Sequence, residues 1–311
     1  MIDVGLALAR AVHFAATLLM EGSVVFAVFV LAPIVGKQQP VFRSLHTTVA
    51  AAWIVALLSG AAWLVLLAAQ IGETSAEAAL RDGTAWALLT QTQFGMSWQW
   101  RFAGLVALAL LVAMARPAGA RNAFAMLAVV VSMALAGSLA WSGHGAATPG
   151  AVGDLQLVSD IVHLVAAGIW LGGLLPFAIL LVRGVEPEVT TQRFASLALA
   201  SVLLLLATGI VNSWRLLGSV SALATTLYGN LLLAKIGLFV LMLAFAAVNR
   251  MALTPQLAIK SQASDRARSR LAIHSACEIA LGVAILVLVG VLGTLAPPAH
   301  ETHAAHHAMH E

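Results

Sequence analysis

The sequence predicts an all-α integral membrane protein of eight transmembrane helices, arranged as a parallel duplication of a four-helix unit. Three observations carry this expectation: the composition, the number of long apolar runs, and a repeat at an offset of 150 residues. Of 311 residues, 61% are hydrophobic and only 9% charged, against roughly 25% charged in soluble domains. So few charges cannot cover a water-facing surface, which excludes a soluble enzyme, a disordered chain and a nucleic-acid-binding domain. The single cysteine, Cys277, excludes an internal disulfide framework and a cysteine-rich metal site. No phosphate-binding glycine-rich loop, ATPase motif or metalloprotease signature is present, so the chain is not expected to be an enzyme.

A helix crosses the hydrocarbon layer with about 20 apolar residues. Such runs fall at 5–34, 45–70, 101–115, 122–142, 157–182, 195–215, 227–249 and 271–295. They are continuous rather than alternating, which excludes a β-barrel. The first run carries His13 and Glu21 and lacks a basic region ahead of it, so it reads as a span and not as a removable signal. Between the second and third runs, residues 72–99 mix Glu73, Glu77, Arg81 and Asp82 with Trp86 and Trp98. They are expected on the outer face, with the tryptophans at headgroup level. Basic residues orient the spans. Connections 1–2, 3–4, 5–6 and 7–8 hold eleven Lys and Arg; apart from Arg10, the other side holds three, Arg81, Arg101 and Arg215. Positive charge stays in the cytoplasm, so both termini are expected outside. The tail from Pro297 holds five of the ten histidines and no Lys or Arg.

The repeat is read directly. Val12 begins VHFAATLLMEG and Val162 begins VHLVAAGIWLG, so that His13 and His163, Ala16 and Ala166, and Gly22 and Gly172 correspond. Arg43 and Arg193 keep the same offset, and Ser59-Gly60 and Thr208-Gly209 recur at 149. Four spans return the chain to its starting side, so duplicated halves would be parallel, related by an axis along the membrane normal. The expected units are 1–142, 143–296 and a histidine-rich tail at 297–311.

Ionisable residues at membrane depth cost about 2.5–3.5 kcal/mol on insertion scales and usually face a partner or a cavity. His13, Thr17 and Met20 share a face of span one, with Glu21 beside them. Asp160, His163, Ala167 and Trp170 share a face of span five, and Met126, Met133 and His144 align on span four. Imidazole with thioether suits copper, the thioether favouring Cu(I). The candidate metal ligands are therefore His13, Met20, Glu21, Met133, His144, Asp160 and His163. In the tail, His303, His306, His307 and His310 fall at helical spacing after His300 and could gather Cu, Ni or Zn. Each candidate has a plainer reading: a methionine is commonly core filler, and a histidine can simply bond a neighbouring carbonyl. His13 and His163, matched in the two halves, could instead be the axial ligands of a b-type haem.

Tyr228, Lys235, Met242 and Asn249 recur every seven residues on span seven, and His274, Cys277 and Glu278 cluster on span eight. Counting 1.5 Å per residue from opposite surfaces of a core about 30 Å thick brings Lys235 and Glu278 to nearly one level. A structural ion pair between them is expected.

These residues resemble the copper resistance protein D family of bacterial inner-membrane proteins. The motifs are SGHG at 142–145, DIVHLVAAGIWLGGLLPF at 160–177 and RFASLALASVLLLLATG at 193–209. YGNLLLAKIGLFVLMLAFAAVNR at 228–250 and EIALGVAILVLVGVLGTLAPP at 278–298 continue the likeness, with RAVHFAA at 10–16 in the first half. The resemblance implies an eight-span protein that helps move copper across the inner membrane, uptake being commonly proposed, usually with a periplasmic copper-binding partner.

Overall fold

The computed structural model describes residues 4–34, 39–115, 122–142, 150–217, 219, 221–258 and 262–298. Among them there is no strand, and eight helices are long and apolar enough to cross a membrane. They are α1 (Val4–Leu31), α2 (Val41–Ile71), α3 (Gln93–Met114), α4 (Ala123–Ser142), α5 (Ala151–Arg183), α6 (Pro187–Leu217), α7 (Leu227–Ala258) and α8 (Gln262–Leu292). Most exceed the apolar runs in the sequence, because polar turns at each end continue the helix where its backbone needs no lipid match. His144 and the tail histidines His300, His303, His306, His307 and His310 lie outside the described residues.

Local chemistry sets the ends. Thr92, Asn122 and Thr226 accept a hydrogen bond from the backbone N–H three residues on, capping α3, α4 and α7. Pro187 opens α6, where its missing N–H costs nothing. Gly184, at φ 66°, closes α5 in the left-handed conformation that glycine adopts without strain. Within α5, residues Gly168–Gly172 form a π-turn. Pro176 lies four residues after Gly172; a proline there removes one ladder bond and crowds that carbonyl, and the widened turn accommodates both.

One expectation about α3 fails. It starts at Gln93, eight residues before the apolar run, so Trp98 belongs to the span and is fully buried in the bundle rather than lying on its outer surface. Trp86, on the short helix Thr84–Gln91 that precedes it, does stay exposed. A hydropathy reading misses the first turns of α3 because Gln93, Ser97, Gln99 and Arg101 dilute it.

α1 is the hub. Of its apolar segment 78% is buried, against 11% in α7. It packs against α2, α4, α5 and α8, and α5 packs against α6, α8, α4 and α1. α3 lies on α4 and α7 on α8. Exchanging α1–α4 with α5–α8 maps this pattern onto itself, as a parallel duplication requires. α1 and α5 cross where Gly22 faces Gly172, and a Cβ on either would enter the backbone of the other helix. Without a hydrophobic force between helices in lipid, such close backbone approach is a main source of association.

Candidate functional site

The bundle has two ends: a first face, where α1, α3, α5 and α7 begin, and a second face, where they finish. Near the first face each half holds its matched histidine against the same neighbours. His13 Nδ1 lies 2.9 Å from the carbonyl oxygen of Ala56, with Ser59 Oγ at 3.5 Å and Gly60 beneath the ring. His163 Nδ1 lies 2.9 Å from Thr208 Oγ1, with Gly209 beneath the ring. The Ala56 carbonyl can only accept, and the Thr208 hydroxyl already donates to Leu204 O at 2.6 Å. Both imidazoles therefore donate from Nδ1, which leaves the Nε2 lone pair free in each.

The surroundings then diverge. His13 is 3% exposed and enclosed by Trp63 and Trp98, whose ring centres lie 5.7 and 5.0 Å from its own. Arg10 and Arg101 cap these rings as cation–π partners at 4.7 and 4.8 Å. Arg101 also donates to Ser138 O at 2.6 Å and to Ser142 Oγ at 2.7 Å. The His13 ring is thus walled in by aromatic side chains.

Beside His163 lies a chamber of about 570 Å³ instead, bounded by α5, α6, α7 and the first-face halves of α1 and α8. Its ionisable lining groups are Arg10, Asp160, His163, Tyr228 and Lys235, joined by Asn212, Ser213 and Ser219; the rest is mostly apolar, with Trp170 and Met242 among the deeper residues. Asn212 Oδ1 and Arg10 Nε are buried without a hydrogen-bond partner. Exposed Ile210 and Trp214 of α6 also line it, so the chamber reaches the lipid-facing surface beside α6.

The difference between the halves has a sequence signal that the 150-residue repeat does not reveal. Thr92, Gly95, Trp98 and Arg101 recur as Thr226, Gly229, Leu232 and Lys235 at an offset of 134. Gly95 and Gly229 each press on the short helix before their span, where a Cβ would meet backbone. Trp63 corresponds to Asn212 at the offset of 149, and Arg10 to Asp160 at 150. Two tryptophans become Leu232 and Asn212, and the space they filled is the chamber.

The other expected ligands are dispersed. Met20 is fully buried in an apolar cluster with Val24, Val49, Leu105 and Val129, and Met133 packs against the same cluster. Glu21 is fully buried with neither oxygen hydrogen-bonded, its carboxyl against Gly168 in the π-turn. Among the described residues no three His, Cys, Asp or Glu side chains converge to hold a metal ion. Nor do the two histidines share a haem slot, since His13 is enclosed by its tryptophans and does not line the chamber of His163. The ion pair expected between Lys235 and Glu278 is absent as well: the ion pairs among the described residues are Glu77–Arg81 and Asp265–Arg268. Lys235 faces Asp160 across the chamber, while Glu278 Oε1 accepts from Asn249 Nδ2 at 2.7 Å. Depth separates the two: Asn249, the partner of Glu278, lies fourteen residues beyond Lys235 on α7, about 21 Å along the helix.

Fold and site define an eight-helix membrane protein with a largely apolar chamber, holding a few ionisable side chains, embedded in one of two similarly built halves. Family models place its relatives. "Copper resistance protein D-like, N-terminal domain" matches residues 1–154 and "Copper resistance protein D" matches 188–292. Copper resistance protein D of Pseudomonas syringae pv. tomato is 31% identical over 260 residues, 78% of this chain and 83% of the relative. Inner membrane protein YebZ of Escherichia coli K12 is 30% identical over 294 residues, 93% and 97% of the two chains. Copper transport protein CutJ of Bacillus subtilis 168 is 30% identical over 221 residues, 68% of this chain and 38% of that longer one. The chain belongs to the copper resistance protein D family. No solved structure matches it.

Proposed function

We propose that the protein serves copper homeostasis in a bacterial inner membrane, moving copper inward through the chamber beside His163. The observation that carries this reading is the asymmetry of the two histidines: Nδ1 is engaged in both, but His163 lines the chamber and His13 does not. The names of the relatives, copper resistance and copper transport, supply the cargo. Arg10 and Lys235 oppose a bare cation in the chamber, with Asp160 the one carboxylate against them. What the site offers copper is soft ligation by imidazole rather than Coulomb attraction. In this reading the basic asymmetry sets the first face and both termini in the periplasm. His144 and the tail histidines gather copper there, with a periplasmic copper-binding protein as the donor.

The test uses purified protein and Cu(I) supplied as its acetonitrile complex. His163→Ala should lose chamber binding and proteoliposome uptake at least tenfold, while folded His13→Ala retains both. Equal binding by wild type and His163→Ala would overturn the assignment.

A further inference from the structure

The chamber has a mouth that a cation arriving from water does not need. Its α6 wall carries Leu206, Ile210 and Trp214, at i, i+4 and i+8, and its α7 wall carries Ile236; all four are also exposed on the outside of the bundle. Ile236 lies nine residues, about 13.5 Å, inside the start of α7, a depth at which the outside is acyl chain. At the second face α6 packs on Thr254–Ala258, the last turn of α7. Toward the first face the two helices part around the chamber.

The first half shows the closed form of this seam. There Trp53 Nε1 donates to Leu105 O at 2.8 Å, tying α2 to α3, and the rings of Trp63 and Trp98 pack with centres 5.3 Å apart. At the offsets of 149 and 134, Trp53, Leu105, Trp63 and Trp98 become Val202, Phe239, Asn212 and Leu232. Val202 has no side-chain N–H to donate, so the staple is lost along with the two rings that filled the seam.

Inside, Asp160 and His163 precede Trp170 on α5, and Tyr228 and Lys235 precede Phe239 and Met242 on α7. The polar groups therefore gather toward the first face, and the deep end is apolar. A space of about 570 Å³, mostly apolar with a few polar groups, has the form of a small-molecule site. The unsatisfied groups describe the ligand's polar end. Arg10 Nε is a donor and Asn212 Oδ1 an acceptor, both buried without a hydrogen-bond partner. Lys235 adds donors and Asp160 adds acceptors. A matching head group both accepts and donates, as carbonyl and hydroxyl oxygens on one ring do. A phosphate or carboxylate only accepts, and would set its charge beside Asp160.

We infer that the mouth between α6 and α7 admits a membrane-soluble isoprenoid quinone, oxidised or reduced, which lays its ring among Arg10, Asp160, Asn212 and Lys235 and its tail through the mouth into lipid. Ring carbonyls accept from Arg10 and Lys235, and the hydroxyls of the reduced form donate to Asn212 Oδ1 and Asp160. This site goes beyond the copper reading and does not rest on it; where both hold, ring and copper occupy the chamber in turn.

The test uses the purified full chain in detergent and decylubiquinone, a benzoquinone with a single alkyl tail, with occupancy read by native mass spectrometry. Wild type should bind it one to one. Leu232→Trp, which restores the residue that fills the first half, should lower occupancy at least tenfold. Asn212→Leu keeps the volume and removes the acceptor, and it decides the matter if Leu232→Trp fails to fold. It should weaken the reduced form, decylubiquinol, at least tenfold and decylubiquinone much less. Equal occupancy in wild type and the folded variants would overturn the site, showing adsorption to the outer surface only. Displacement from wild type by equimolar oleate or phosphatidylglycerol would overturn the quinone assignment in favour of an acyl lipid. Failure of the copper reading shows elsewhere, as equal Cu(I) binding by wild type and His163→Ala, whatever decylubiquinone does.

Discussion

The hydrogen bond from His163 Nδ1 to Thr208 fixes which ring nitrogen is left for a ligand. Removing the partner of a metal-ligating histidine typically costs 10–100-fold in affinity. Thr208→Val keeps the shape of the side chain but removes the acceptor. It should weaken Cu(I) binding by about tenfold to a hundredfold, read by competition with a Cu(I) chelator, with the yield of folded protein preserved. Glu21 and Gly168 make a second case. A methyl group on Gly168 would collide with the Glu21 carboxyl. Overpacking of this kind costs about 1–3 kcal/mol, so Gly168→Ala should lower the yield of monodisperse protein. Glu21→Ala in the same chain should restore it; simple addition of the two effects would show that they do not touch. Neither contact was legible in the sequence. Glu21 reads there as a candidate ligand, because nothing in a linear pattern shows that its carboxyl is packed on a glycine of another span.

At the scale of elements, the α1–α5 crossing is the joint of the two halves. Gly172→Leu forces the helices apart at Gly22 and should abolish the folded bundle, visible as loss of the monodisperse peak in size-exclusion chromatography. Gly237, in the middle of α7, has nothing within 4 Å of where its Cβ would sit. Gly237→Ala should leave that peak unchanged or raise it, since alanine favours a helix over glycine by about 1 kcal/mol. The existence of all eight spans was legible, because the length of an apolar run is a direct consequence of bilayer thickness. The start of α3 was not. Its first two turns carry Gln93, Ser97 and Gln99, which break the apolar run, so Trp98 reads as an interface residue and proves to be the wall of the His13 enclosure.

For the whole molecule, orientation follows from the basic residues: a reporter fused after His310 should be active only on the periplasmic side. Activity in the cytoplasm would invert every statement about the direction of entry. The two halves also make a paired expectation. Trp98→Ala should open space beside His13, recreating there what Leu232 leaves beside His163. Copper stoichiometry that rises in Trp98→Ala would show that the tryptophan cage alone keeps the first histidine from the cargo.

The sequence by itself determined the class, the number of spans and the duplication, because each follows from counting: apolar length against bilayer thickness, and matched residues at a constant offset. It also named His163, Asp160 and Lys235 as costly residues in need of neighbours. Only the tertiary structure decided who those neighbours are. Helix periodicity gives the face of one span but not the rotation of one span about another. Nor does it fix how far one span slides along another: Lys235 and Asn249, the partner of Glu278, are fourteen residues apart on α7, about 21 Å, so the pair expected at one level is not. The same limit hid the asymmetry of the halves, since the replacement of two tryptophans by Leu232 and Asn212 becomes a chamber only where α5, α6 and α7 meet.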